Sequence, residues 1–470
     1  MRKTKIVCTI GPASDSEEVL SQIIEAGMSV SRHNFSHGDH AEHRRRMELV
    51  RELSAKYHKP IAIMLDTKGP EIRTGNFALG KVELKEGANF TIYCGEEVIG
   101  DETKCSITYA NLCNDVKPGN FILIDDGLVG LEVVSIDGAK INCVVKNNGM
   151  VGNHKGVNVP GVSTSLPAIT EKDIDDLKFG CEMGVELIAA SFIRKASDVE
   201  TIRKVLTENG GENILIFSKI ENQEGVENID KILDVSDGIM VARGDLGVEI
   251  PIEKVPGVQK MIIEKCNRAG KPVITATQML DSMIRNPRPT RAEASDIANA
   301  ILDGTDCIML SGETANGKYP VEAVKTMARI AESAEEEINY DRVFTRKRKE
   351  HVPGVQSSIS LAAVNTSMET DAKAIIAVTQ SGSTAKIVSK YRPKCAVAAV
   401  TPSEKVARQL NLSWGVYPII APKQESIDAL LDVASEECVK SGLVNKNDMV
   451  IIVAGIQQVG TTNLMKVHTV

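Results

Sequence analysis

The stretch FSKIENQEG, residues 217–225, ends an apolar run with a lysine and a glutamate two residues apart. Side chains alternate faces along a strand, so Lys219 and Glu221 point the same way as Leu215 and Phe217. An ion pair there is either a structural cap or part of a site that handles anions and cations. Other apolar runs end in the same polar fashion. Arg32, Asn34 and Ser36 close one, Asp66 and Thr67 the next, then Ser191, the group Arg243, Gly244 and Asp245, Thr277, and Ser311 with Glu313. So many polar endings make a ring of functional groups. Glu221 and Asp245 form a carboxylate pair suited to a hard divalent cation such as Mg²⁺. Asn34, Ser36, Asp66 and Thr67 offer one negative charge and several neutral oxygens, a weaker field suited to a monovalent ion or a hydroxyl-rich ligand. Arg32, Arg73, Lys155 and Lys219 add positive charge, which points to a substrate carrying phosphate. In VARGDLGVEIP, Gly244 and Gly247 let backbone approach a ligand, and a short helix starting at Asp245 would present free N–H groups to an anion.

The elements that must position these residues are eight Val/Ile/Leu-rich runs: TKIVCTI, SVSRHNF, PIAIMLD, VELIAASF, ILIFSKI, DGIMVAR, PVITAT and DCIMLS. Continuous apolar strands alternating with helical segments predict a parallel sheet covered on both faces. Residues 70–167 differ, with alternating strands and turn residues and no long helix, as in NFILIDDGLVGLEVVSIDGAKINCVVKNNG. Setting that insertion aside leaves 1–69 and 168–345, about 250 residues, the usual size of a (β/α)₈ TIM barrel. The expected layout is a discontinuous barrel, an inserted β-barrel-like lid at 70–167 placed at a strand's C-terminal end, and an α/β domain over 346–470.

The 470 residues carry a net charge of -8, 42% hydrophobic and 25% charged residues. This is a globular composition. The acidic balance argues against nucleic-acid binding, no apolar run is long enough for a membrane span, and nothing reads as a signal peptide. Ten cysteines without a C-x-x-C pair fit free thiols in a reducing compartment, so a cytoplasmic location is expected. RHNFSHGDHAEH carries His33, His37, His40 and His43, the first two expected on a loop and the last two on a following helix; a metal site there is disfavoured. RRR at 44–46 and RKRKE at 346–350 read as solvated charge.

Read together, KIVCTIGP, RHNFSHG, LDTKGPEIRTG, KGVNVPG, FSKIENQEG, GIMVARGDLGVEIP, ITATQMLDSM, NPRPTRAEASDIANAILDGTD and MLSGETANGKYP resemble the motifs of pyruvate kinases, in the family's order across residues 5–320. The resemblance implies transfer of the phosphoryl group of phosphoenolpyruvate to ADP, giving pyruvate and ATP, the last step of glycolysis, with Mg²⁺ or Mn²⁺ and K⁺. It implies that Lys219 stabilises the transferring group and the enolate, that Arg32 contacts the phosphoryl group, and that Glu221 and Asp245 hold Mg²⁺. Asn34, Ser36, Asp66 and the Thr67 carbonyl would hold K⁺. Gly244, Asp245 and Thr277 would position the substrate carboxylate, and Asn34, His37, Arg73 and Lys155 would serve the nucleotide. Glu71 resembles the acidic residue of K⁺-dependent members. Thr277, through water reaching Ser311 and Glu313, is the candidate proton donor to the enolate. His33 replaces the family's usual aliphatic residue and, by strand alternation, should face away from the site.

In the last domain, AIIAVTQSGSTAKIVSKY is a strand, a Ser/Thr/Gly loop and a helix, able to cradle phosphate or to be a plain turn capped by Ser383. The resemblance implies an effector site at Thr379, Gln380, Ser381, Gly382, Ser383 and Thr384 for a sugar phosphate or AMP, and a homotetramer. QQVGTTN matches the family's effector-domain loop only loosely. Ending at Val470, the chain is expected to lack the further C-terminal domain of some bacterial relatives. Two other readings are open to such a chain: a Mg²⁺-dependent aldolase or lyase of pyruvate, which would not require Lys155, Arg73 or the K⁺ set, and a non-catalytic scaffold, which would have eroded Lys219, Glu221, Asp245 or Thr277.

Overall fold

The computed structural model describes residues 1–424, 426–455 and 462–470. Eight parallel strands close into a barrel: Lys5–Thr9, Val30–Asn34, Ala62–Asp66, Leu187–Ala190, Leu215–Ile220, Gly238–Ala242, Val273–Ala276 and Cys307–Leu310. They coincide with the eight apolar runs. One face of each strand meets the helices outside. The other fills the interior with Val7, Val30, Met64, Leu187, Phe217, Met240, Ile274 and Met309, which is why the strands read as continuously apolar. Phe217 lies on the same face as Lys219, deeper in the barrel. Its ring leaves no room at the neighbouring strand, where a Cβ on Gly238 would come within 2.4 Å of it.

After the third strand the chain leaves the barrel. Residues 81–158 form a six-stranded sheet and a two-stranded sheet, Lys81–Leu84 with Gly149–Gly152. They enclose their own core, including Phe90, Ile92, Leu131 and Val145. The only helix there is the four-residue Leu112–Asp115. The chain returns at Thr170, whose hydroxyl and Asp173 form a capping box for the helix Glu171–Glu182. Asp173 also accepts from the Gly69 amide at 2.9 Å, so one carboxylate ties the outgoing connection to the returning one. The C-terminal part holds a five-stranded sheet in the order Val416–Ile420, Ala396–Thr401, Ala374–Val378, Met449–Ala454, Leu464–Thr469, the last strand antiparallel.

Several local expectations are corrected. RKRKE is not solvated throughout: it closes the helix Tyr340–Lys349, and Lys347 is buried with Nζ donating to Asn267 Oδ1 at 3.1 Å. Arg46 is likewise buried, paired with Asp15 at 3.1 Å and Glu42 at 2.6 Å. His33 sits on the second barrel strand, not on a loop, because the extended segment runs on to Asn34. It faces away from the site, fully buried beside Ser31. His43 stacks on Phe35 at 4.0 Å and His40 on Phe179 at 4.4 Å, so these rings pack as aromatics. No group of three or more His, Cys, Asp or Glu side chains gathers as a metal site among the described residues. All ten cysteines are free thiols. No helix among the described residues is long and apolar enough to cross a membrane.

Candidate active site

The polar strand ends meet at the C-terminal mouth of the barrel, and Lys219 is at their centre. Its Nζ lies 3.0 Å from Glu221 Oε1, 3.1 Å from Asp66 Oδ1 and 2.7 Å from Ser191 Oγ. The Ser191 hydroxyl donates in turn to the Thr67 carbonyl at 2.6 Å. Asp66 takes Arg32 Nε on its other oxygen at 2.6 Å, and Arg32 reaches back to Thr9 Oγ1 at 2.9 Å. Five strand ends are thereby joined by one chain of charge-assisted bonds. Burial works against the Lys219 ammonium, yet Asp66 and Glu221 hold it above the ordinary lysine range. Burial also opposes the Asp66 charge, but Arg32 and Lys219 keep that carboxyl below its usual value. Glu221 goes the other way: burial pushes it up to about 7 despite Lys219, and Asp245 adds to the rise.

Glu221 is held by Lys219 on one oxygen and by the Phe192 amide, at 2.5 Å, on the other. Phe192 adopts φ +55°, a left-handed conformation unusual for a bulky residue. Among the described residues the Asp245 carboxylate makes no hydrogen bond or ion pair, and it lines a cleft of about 580 Å³ between the barrel mouth and the inserted sheets. An unpaired carboxylate beside a buried one reluctant to ionise is a donor set that fits a divalent cation. Arg73 and Lys155 face the same cleft from the lid side, Arg73 paired with Glu71 at 2.7 Å and Lys155 with Asp125 at 3.0 Å.

The helix carrying Asp245 is Arg243–Glu249, beginning two residues before the sequence suggests. Gly244 N donates to Thr277 Oγ1 at 2.8 Å, and that hydroxyl donates to the Ala276 carbonyl at 2.6 Å. Thr277 and Gln278 hold φ +68° and +54°, a strained pair for non-glycine residues. Arg243 does not enter the cleft: it binds Asp296 at 2.7 Å and the carbonyls of Ala276 and Thr277, bracing the loop after the seventh strand. Glu313 receives the amides of Ser311 and Leu280, while the buried Ser311 hydroxyl has no hydrogen-bond partner among the described residues. Asn34 and His37 lie apart from Arg73 and Lys155, lining with Arg32 a second cavity of about 460 Å³. Asn34 and Asp66 are register partners on neighbouring strands, and the Asn34 side-chain oxygen accepts from the Ser36 amide.

Two family models match this chain, one for each part of it: "Pyruvate kinase, barrel domain" over residues 1–324 and "Pyruvate kinase, alpha/beta domain" over 357–468. The chain belongs to the pyruvate kinase family. It is 62% identical, over the whole of both chains, to a pyruvate kinase of Clostridium acetobutylicum. To pyruvate kinases of Sporosarcina psychrophila and Staphylococcus aureus it is 57% and 55% identical over its full length, covering 81% of theirs. The crystal structure of a pyruvate kinase from Cryptosporidium parvum superposes with a TM-score of 0.96 at 42% identity, across 100% of this chain and 96% of that one. Barrel, additional sheets and C-terminal α/β domain are thus the family's fold.

Sequence reasoning missed Thr9, which holds Arg32, because an uncharged threonine closing an apolar strand carries no mark of a functional contact. It also missed Asp125, Asn158 and Glu249, which lie on a turn and short elements without a periodic signal, and Asp296, an ordinary polar position on the helix Arg291–Asp303. In the C-terminal domain, Thr379, Gln380, Ser381 and Thr384 line a pocket of about 280 Å³ with Lys423. Ser383 does not cap the following helix: the N-cap is Gly382 at φ +84°, its amide donating to Thr379 Oγ1 at 2.9 Å. Thr384 bonds Thr462 at 2.8 Å. Of QQVGTTN, residues 457–461 lie outside the described residues.

Proposed function

We propose that this chain transfers the phosphoryl group of phosphoenolpyruvate to ADP, giving pyruvate and ATP, with Mg²⁺ or Mn²⁺ and K⁺. The observation that carries it is Lys219, buried and held protonated by Asp66 and Glu221 at the barrel mouth, beside Arg32 and beneath a lid that brings Arg73 and Lys155. Two unit charges about 4 Å apart repel by roughly 4 kcal/mol at an effective dielectric of 20. Bringing two phosphorylated substrates together raises several such terms, and phosphoryl transfer is mostly their neutralisation and alignment. Lys219 and Arg32 supply fixed positive charge where the phosphoryl group and the enolate oxygen develop negative charge. Gly244 and Thr277 orient the substrate carboxylate next to Asp245. Arg73 and Lys155 receive the nucleotide phosphates, exchanging Glu71 and Asp125 for them, while Asn34 and His37 form the second cavity's share of the nucleotide site. The lid, residues 70–167, excludes water and strengthens each charge interaction. Thr277, with Ser311 and Glu313 behind it, is our candidate for delivering the proton to the enolate.

Glu221 and Asp245 would hold a divalent cation, which would supply positive charge to neutralise the negative charge of the transferring phosphoryl group and the developing enolate. Asn34, Ser36, Asp66 and Thr67, contributed by neighbouring strand ends, are our assignment for K⁺, with Glu71 favouring K⁺ dependence. The domain division 1–69 with 168–345, 70–167 and 346–470, a cytoplasmic homotetramer, and binding of a sugar phosphate or AMP at Thr379–Thr384 belong to the same reading. The test is pyruvate formation with Mg²⁺ in K⁺ and in a large organic cation. Turnover only with both ions supports the site; turnover without K⁺ removes the roles of Glu71 and the K⁺ set, and no turnover in either buffer refutes the reading. A phosphorylated effector should shift the phosphoenolpyruvate saturation curve, and the effector assignment fails if neither ligand class does so.

A further inference from the structure

The lid's tethers cluster at its base. Gly69 N donates to Asp173, Arg194 donates to the carbonyls of Thr164, Leu166 and Pro167, and Glu224 accepts from Ser163. All of these grip the connecting segments. One contact reaches the sheet itself: Asn158 Nδ2 donates to Glu249 Oε1 at 2.7 Å. Among the described residues it is the only hydrogen bond between the lid's six-stranded sheet and the barrel. Asn158 is in register with Leu123, two residues before the Asp125 that holds Lys155. Glu249 stands four residues after Asp245 on the helix Arg243–Glu249, so one helical turn carries both carboxylates, and both line the 580 Å³ cleft. Burial pushes the Glu249 carboxyl up, with Asp245 adding to the rise, while the Asn158 side chain and, to a lesser extent, the Val159 amide next to it oppose it.

We propose that Glu249 is a positioning residue that latches the lid over the cleft through Asn158, and so sets where Arg73 and Lys155 stand relative to Asp245 and Lys219. The inference rests on reading the cleft as the phosphoryl-transfer site. Phosphoenolpyruvate is held by barrel groups, Arg32 and Lys219 foremost, whereas the nucleotide phosphates are met from the lid. Loss of the latch leaves the barrel groups in place and lets the lid sheet swing on its base. The nucleotide therefore suffers and phosphoenolpyruvate does not.

The test uses the full chain with Glu249→Ala, Glu249→Gln, Asn158→Ala and the Glu249→Ala/Asn158→Ala double variant, assayed with phosphoenolpyruvate and ADP. Hydrogen exchange of the lid backbone is followed in parallel without substrates. Each single alanine variant should raise KM for ADP about tenfold, the size of a hydrogen bond to a charged acceptor. KM for phosphoenolpyruvate should stay within about twofold, and the double variant should be no worse than the worse single one, because both remove the same bond. Glu249→Gln keeps a carbonyl acceptor for the Asn158 amide and should restore most of the loss. Exchange near residues 156–166 should quicken in the alanine variants. Additive single effects, a glutamine variant no better than alanine, or unchanged KM for ADP with unchanged exchange would overturn the latch. Should Glu249→Ala fail to fold, Asn158→Ala, on the lid's edge strand, carries the same prediction. Absence of turnover in the wild type would count against the functional reading, while the exchange measurement would still decide for or against the latch.

Discussion

Ser191 offers a sharp test of how Lys219 is held. Its hydroxyl accepts from Lys219 Nζ at 2.7 Å and donates to the Thr67 carbonyl at 2.6 Å. Ser191→Ala deletes both bonds while leaving the Asp66 and Glu221 partners at 3.1 and 3.0 Å. A hydrogen bond to a charged group contributes about 1.5–3 kcal/mol. If that whole contribution is expressed in the transition state, where the ammonium must meet developing charge, kcat falls about 10- to 150-fold. The ammonium remains inside the barrel mouth, so the loss should be smaller than that of Lys219→Met. Steady-state pyruvate formation read alongside thermal unfolding makes the test: kcat and kcat/KM should fall together with a small change in Tm. A kcat within about twofold of wild type would mean that Lys219 needs no help from Ser191, and the linked network of the strand ends would lose its meaning.

Asp245→Asn removes the unpaired carboxylate of the proposed divalent-cation pair, so Mn²⁺ binding followed by its paramagnetic resonance signal should weaken at least about tenfold; unchanged affinity would place the cation elsewhere. Lys5 is buried with its ammonium donating to the Val416 carbonyl and facing Tyr417, and burial lowers its pKa to about 7. The unfolded chain, with an ordinary lysine, therefore binds more protons between pH 7 and about 10.4. The burial penalty is complete at pH 7 and below and fades as pH rises through that window. Lys5→Met should accordingly raise the urea midpoint relative to wild type at pH 7, with the gain shrinking toward pH 10; a loss of stability equal at both pH values would show that the Val416 contact outweighs the desolvation.

The barrel was legible because most of its strands are apolar on both faces, Val30–Asn34 being the exception. That leaves polar residues conspicuous where the strands end, and Lys219, Glu221 and Asp66 announced themselves in this way. The inserted sheets were legible from the change of period after Asp66. Less visible were side-chain contacts between elements far apart in sequence: nothing in the sequence says that Asn158 meets Glu249, which depends on how the inserted sheet docks, or that Thr9 steadies Arg32, which depends on the register of two neighbouring barrel strands. Charge runs misled for a related reason. Lys347 and Arg46 lie within strongly basic stretches, yet docking buries them against Asn267 and against Asp15 with Glu42. The helix start at Arg243 escaped because Ala242, its N-cap, carries no side-chain acceptor to mark it.

The most direct test of the central claim is to follow pyruvate and ATP together from phosphoenolpyruvate and ADP, in wild type and Lys219→Met, with phosphoenolpyruvate binding measured separately. The account predicts equal amounts of both products from wild type, and at least about a thousandfold loss in the variant, the scale of removing a principal electrostatic stabiliser, with the substrate still bound. Pyruvate without ATP, or a Lys219→Met enzyme that turns over at a rate near wild type, would contradict it.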